Sequence, residues 1–107
     1  MLKKQYVKSR KVSKVTFALP KAEFPEGIEV ESVNLVGDFN NWDHTSIPME
    51  PNSRGTFRAT LELEPERAYQ FRYLVNGKHW INEWHADAYI PSGFGKDNCI
   101  VNTEIEE

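Results

Sequence analysis

Tyr69-Gln70-Phe71-Arg72-Tyr73-Leu74-Val75-Asn76-Gly77 is the run of residues from which the fold of this chain can be read. Tyr69, Phe71, Tyr73 and Val75 recur at every second position, the spacing at which side chains of a strand share one face, while Gln70 and Arg72 fall on the other. Asn76-Gly77 then supplies the two residues that best tolerate the positive φ needed at both centres of a type I′ turn, so the run is expected to fold back onto a strand entering at Lys78. A strand with one apolar face and an immediate hairpin belongs to an antiparallel sheet.

The same period recurs on both sides. Val15, Phe17 and Leu19 alternate with Lys14, Thr16 and Ala18, and Phe57, Ala59, Leu61 and Leu63 alternate with Arg58, Thr60, Glu62 and Glu64. Shorter runs at Val33 to Val36, Ser46 to Met49 and Cys99 to Ile105 are each expected to add a strand. Turn formers separate these runs at Pro20, Pro25-Glu26-Gly27, Pro51-Asn52-Ser53-Arg54-Gly55 and Glu64-Pro65-Glu66. No helical period is present, so the pattern predicts an all-β, antiparallel sandwich of the immunoglobulin-like kind. His79 to Asn98 departs from it: about twenty residues carrying Trp80, Trp84, Tyr89 and Phe94 show little alternation, which predicts a long functional loop.

The 107 residues suffice for one small core, and no apolar run of about 18 residues exists to span a membrane as a helix. Met1-Leu2-Lys3-Lys4-Gln5-Tyr6 is basic, but polar residues stand where a signal peptide would place its apolar stretch, so a cytoplasmic location is expected. Cys99 is the single cysteine, which excludes an internal disulfide and a cysteine-based zinc site. Lys3, Lys4, Lys8, Arg10, Lys11 and Lys14 fall in a stretch without any acid, whereas the rest of the chain is net acidic, within a total charge of -3. Residues 1–13 are therefore read as a basic N-terminal strand or arm and 14–107 as the domain proper. A basic arm can grip phosphates, but no aromatic or glycine pattern of a nucleic-acid module accompanies it, and lysines that blunt a sheet edge are the favoured reading. Lys3 to Lys8 also forms a candidate strand for pairing with a second copy, giving a homodimer.

Trp42, Trp80 and Trp84 decide the functional reading. Each could plug the core with only its N–H reaching out. Trp42 and Trp80, however, fall in turn or loop segments rather than on the inward face of an alternating strand, and all three have polar neighbours. Flat rings flanked by amides, carboxylates and a guanidinium suit a sugar, whose C–H faces stack while its hydroxyls are hydrogen-bonded. Enzymatic readings are weaker. His79, Glu83, His85 and Asp87 lie close together without an established metal-ligand spacing, and there is neither a Gly-x-Ser-x-Gly elbow nor a phosphate-cradling Gly-Lys-Ser/Thr loop. Cys99 sits in an apolar run that predicts burial rather than reactivity. No catalytic group, metal or cofactor is expected.

Three motifs, Val33-Asn34-Leu35-Val36-Gly37-Asp38-Phe39-Asn40-Asn41-Trp42, Tyr69 to Trp80, and Phe94-Gly95-Lys96-Asp97-Asn98-Cys99-Ile100-Val101, resemble carbohydrate-binding module family 48 from about Lys14 to Thr103. That family includes the glycogen-binding domain of the AMP-activated protein kinase β subunit and the early set domains of isoamylases and branching enzymes. The resemblance implies an immunoglobulin-like sandwich of the early set type that binds α-1,4-linked glucan, polymer or malto-oligosaccharide, without chemistry. It implies stacking by Trp42 and Trp80, hydroxyl contacts from Arg72 and Asn98, and an apolar wedge at Phe94. Arg72 stands in place of a lysine and Lys96 in place of a threonine, and the loop after Gly77 is one residue longer, so Lys96, Trp84 and His79 are secondary candidates. The alternative implied is a protein-interaction module that docks a glucan-metabolising enzyme or kinase and binds no sugar itself.

Overall fold

The computed structural model describes residues 1–92 and 97–105. Among the described residues nine strands run in chain order: β1 (Leu2–Val7), β2 (Val12–Leu19), β3 (Val33–Gly37), β4 (Glu50–Pro51), β5 (Phe57–Leu63), β6 (Ala68–Val75), β7 (His79–Ile81), β8 (Ala88–Pro91) and β9 (Asp97–Asn102). Two single-turn 3-10 helices, Lys21–Glu23 and Asp38–Asn40, are the helical elements among the described residues. The ladders among the described residues are antiparallel, in two sheets ordered β1-β2-β5-β4 and β3-β6-β9-β8, with β7 paired to β6. This is the immunoglobulin-like sandwich that the alternation predicts. No described helix is long and apolar enough to cross a membrane.

The core forms where the alternating faces meet. Val15, Phe17 and Leu19 of β2 and Phe71, Tyr73 and Val75 of β6 are fully buried, joined by Val33, Leu35, Cys99 and Val101. Phe17 packs edge-on against Phe71 at 5.1 Å and tilted against Phe39 at 5.7 Å, so aromatic contacts tie the two sheets together. The hairpin after Val75 turns at the dipeptide, with φ of 54° at Asn76 and 73° at Gly77 and a 3.1 Å bond from the Lys78 amide to the Val75 carbonyl, but β7 enters at His79, opposite Val75, rather than at Lys78.

One topological detail sets the surroundings of Arg72. β3 occupies one edge of β6 from Phe71 to Val75, so β7, which pairs with Tyr73 to Val75, must lie on the other edge. That edge is shared, because β9 pairs with β6 from Ala68 to Phe71. Arg72 therefore stands at the gap where the edge of β6 passes from β9 to β7.

Two expectations are corrected. The stretch from His79 to Asn98 is not a featureless loop, since β7, β8 and the start of β9 lie within it. These edge strands are short, and β8 is exposed throughout, so no alternation of polarity marks them. Ser46 to Met49 does not form a strand of its own. The Leu35 amide bonds the Ile47 carbonyl and the Met49 amide the Val33 carbonyl, after which β4 pairs with β5, so this segment carries the chain from the second sheet to the first.

Candidate functional site

The outer face of the second sheet carries three of the residues singled out above, Arg72, Trp80 and Asn98. In β6 the residues out of phase with Phe71 and Tyr73 are Gln70, Arg72 and Leu74, and their cross-strand neighbours on that face include Val36 and Trp80. Trp80 pairs directly with Leu74, which is buried although it faces outward. An indole seated on β7 rather than in a loop therefore rests on an apolar floor.

The Arg72 guanidinium lies over the Trp80 ring, 5.7 Å from its centre, within cation–π range. Its Nε donates to Asn82 Oδ1 at 2.7 Å, and Asn82 Nδ2 donates to the Asp97 carbonyl at 3.0 Å, so the residue following β7 closes the gap in the shared edge and fixes the guanidinium. Partial burial pulls the Arg72 pKa down from its ordinary value without discharging it. His44 meets Trp80 edge-on at 5.1 Å and 80°, forming a corner with the indole.

Trp42 is held by a different device. Asn41 and Trp42 both take left-handed backbone conformations, with φ of 55° and 58°, costly for a ring-bearing residue and most often found where function over-determines the geometry. The turn is locked by the Trp42 amide on the Gly37 carbonyl at 2.9 Å and by Asn40, whose Oδ1 accepts from the Gly37 amide while Nδ2 reaches the Asp43 carbonyl and Ser46 Oγ. Asp38 Oδ1 accepts from the indole Nε1 at 2.9 Å, and Oδ2 accepts from the Gln70 amide at 2.8 Å. Gln70 Oε1 in turn accepts from Asn98 Nδ2 at 3.1 Å. Trp42, Asp38, Gln70 and Asn98 are thus linked by hydrogen bonds, and His44, two residues after Trp42, brings the same turn to Trp80.

Flat rings together with amides and a guanidinium are groups that a polyhydroxylated ligand can use. The sequence profile of carbohydrate-binding module 48 (isoamylase N-terminal domain) matches residues 29–90, more than half of the chain. The chain belongs to this family. No curated protein matches it.

Family 48 domains are carbohydrate-binding modules, so carbohydrate binding is the activity that membership implies for this chain. In this module the other candidates are dispersed. His79 is exposed on β7 opposite Val75, on the face that Trp80 does not share. Between Asn82 and Glu83 the chain passes from the outer face to the interior. Glu83 is buried beneath Tyr73 and Cys99, and Trp84 follows on a turn, 61% exposed. Phe94 and Lys96 lie outside the described residues. Among the described residues no group of three or more histidine, cysteine or acidic side chains gathers to hold a metal ion.

Sequence reasoning missed Asp38, Gln70, Asn82 and His44. Gln70 had a usable signal, two residues before Arg72 and hence on its face. Asp38 stands four residues before Trp42 in a tight turn, where a side chain can reach back. Asn82 and His44 carried none, because the contacts that give them meaning are tertiary.

Proposed function

We propose that this module binds α-1,4-linked glucan, as a glycogen- or starch-like polymer or as malto-oligosaccharide, and performs no chemistry on it. The observation that carries this reading is Arg72 fixed beside Trp80 by Asn82. A glucose unit stacked on the indole would bring its hydroxyl edge to the terminal amino groups of the guanidinium, for which no bond is found among the described residues. Gln70 and Asn98 continue the polar edge toward Trp42, which supplies a second flat surface, so the site suits a chain of sugars better than a single ring. Phe94 and Lys96 enter this reading through the resemblance alone, Phe94 as an apolar wedge. Affinity for a short oligosaccharide is expected in the micromolar to millimolar range, because its flexible linkages must be ordered on binding, and a polymer gains by avidity.

Titration with maltoheptaose and β-cyclodextrin, followed by tryptophan fluorescence with cellohexaose as control, tests the reading. The α-glucans are expected to give a saturable change that cellohexaose does not. Trp80→Ala should weaken binding by about 2 kcal/mol, about thirtyfold, the loss usual for a central aromatic contact, and Trp42→Ala should weaken it in the same direction. No change at millimolar sugar, in protein shown to be folded, overturns it.

One observation favours a second reading, a module that docks a glucan-metabolising enzyme or kinase. Trp84 and Tyr89 are large side chains left exposed, and neither makes a ring or cation–π contact with Trp80 or Arg72 among the described residues. That reading expects the Trp84 ring, rather than Trp80, to become shielded from a collisional quencher when such an enzyme is added.

A further inference from the structure

We propose that the free edge of β1 docks an extended acidic segment of a partner protein, which adds to the first sheet as another strand. This inference concerns the sheet that the sugar site does not use and stands apart from the glucan reading. β1 ends the order β1-β2-β5-β4, so among the described residues one of its edges is paired and the other is open. Met1 and Ala18 exchange bonds in both directions, at 2.6 and 2.9 Å. Bonded and unbonded pairs alternate along an antiparallel ladder. In this register Lys3, Gln5 and Val7 therefore turn their N–H and C=O groups toward β2, while Leu2, Lys4 and Tyr6 turn theirs to the open edge. Neither proline nor bulge interrupts β1 over its six residues, so the edge is a ready template for strand addition.

Charge selects the occupant. Of the six basic residues between Met1 and Lys14, Lys4 is paired with Asp87 at 2.6 Å and Arg10 with Glu62 at 2.9 Å. Lys3, Lys8, Lys11 and Lys14 make no ion pair among the described residues. Beneath the inner face of β1 opens a groove of about 1220 Å³, lined by Leu2, Tyr6 and Ile105 as apolar surface, by Lys8 and Lys11, and by two acids, Asp87 and Glu104. Alternate side chains of an added strand would enter this groove, and its carboxylates would meet the unpaired lysines. A second copy of β1 would instead bring lysines against lysines, so the same charges that invite an acidic strand discourage self-pairing.

The test uses the full chain, labelled with nitrogen-15, and a blocked peptide of about eight residues alternating glutamate and valine. Amide shifts are expected at Leu2 to Val7 and in the adjoining 8–11 turn, saturating with peptide. Raising salt from about 50 to about 500 mM should weaken binding about tenfold. Lys8→Glu combined with Lys11→Glu should also lose about tenfold, at unchanged melting temperature, because both positions are exposed and lie outside the strands. The proposal is overturned by absence of shifts at millimolar peptide, by shifts centred elsewhere, or by equal binding of a lysine–valine peptide. It is equally overturned by an oligothymidylate binding as tightly at the same amides, or by sedimentation showing that the free chain already pairs through β1.

Discussion

Both oxygens of the Asp38 carboxylate are committed, one to the Trp42 indole and one to the Gln70 amide at the end of the β3–β6 ladder. No sugar need touch this residue for it to govern the site, since it sets the aim of Trp42 and links that ring, through Gln70, to Asn98. Hydrogen bonds to a charged group are worth about 1.5 to 3 kcal/mol, so Asp38→Ala is expected to weaken malto-oligosaccharide binding by about tenfold or more. Its effect should largely vanish in a Trp42→Ala background, because coupled residues fail to add. The indole N–H resonance of Trp42 should move in the sugar-free Asp38→Ala protein, a readout independent of any ligand. Additive losses in the double mutant would show that Asp38 does not act through Trp42. Trp42 and Trp80 were legible as candidates because their ring type announces its chemistry, and Arg72 was named mainly through the family resemblance. Asp38 was not, because its second partner lies 32 positions away.

At the scale of elements, the passage from β3 into the turn that holds Trp42 depends on Gly37. Its φ of -175° is open to any residue, so the requirement is space rather than conformation. A Cβ added there would lie 2.4 Å from the Gln70 carbonyl oxygen and 2.8 Å from Phe71 Cβ, within the paired strand itself. Gly37→Ala is expected to cost about 3 kcal/mol in urea unfolding, at the upper end for overpacking. A cost below about 1 kcal/mol would mean that β3 and β6 separate more easily than the packed core suggests. The β6–β7 hairpin teaches a related lesson. Asn76 is legible as a turn former, yet its Oδ1 also accepts from the amides of Glu31 and Ser32 and its Nδ2 donates to the Glu29 carbonyl. The same side chain closes a local turn and anchors a distant segment, and only the first of these roles is written in the dipeptide.

For the whole molecule, stability at high pH is expected to reflect one interior cluster. Glu83, 1% exposed, accepts from the Tyr73 hydroxyl and the His85 amide, each at 2.8 Å, and from the Met1 amino group, while its own amide donates to Cys99 Sγ at 3.2 Å. Burial pushes the Cys99 thiol up to about 11 from its ordinary 9.0, and burial followed by the neighbouring Glu83 raises the Tyr73 hydroxyl further. Both groups are neutral when folded and ionise more readily when unfolded. The stability Cys99 contributes is complete below about pH 9 and is lost as pH rises through about 11, while that of Tyr73 starts to be lost above its ordinary 10.0 and continues beyond that interval. Melting temperature should fall steeply across that interval, and a thiol reagent at pH 8 should react with Cys99 only once denaturant is added. A melting temperature that holds level to pH 11 would contradict this account.

Strand period, turn chemistry and the paucity of cysteine determined, without any structure, that this chain is an antiparallel sandwich with a hairpin at Asn76-Gly77 and Arg72 turned away from the core. These are local properties, set by a residue and its near neighbours. Only tertiary structure decided that β7 and β9 share one edge of β6, that Asn82 fills the gap beside Arg72, and that Glu83 is buried while Trp84 is exposed. Those outcomes depend on which strands pair across long separations, and burial on two sheet faces selects the pairing where no local preference does.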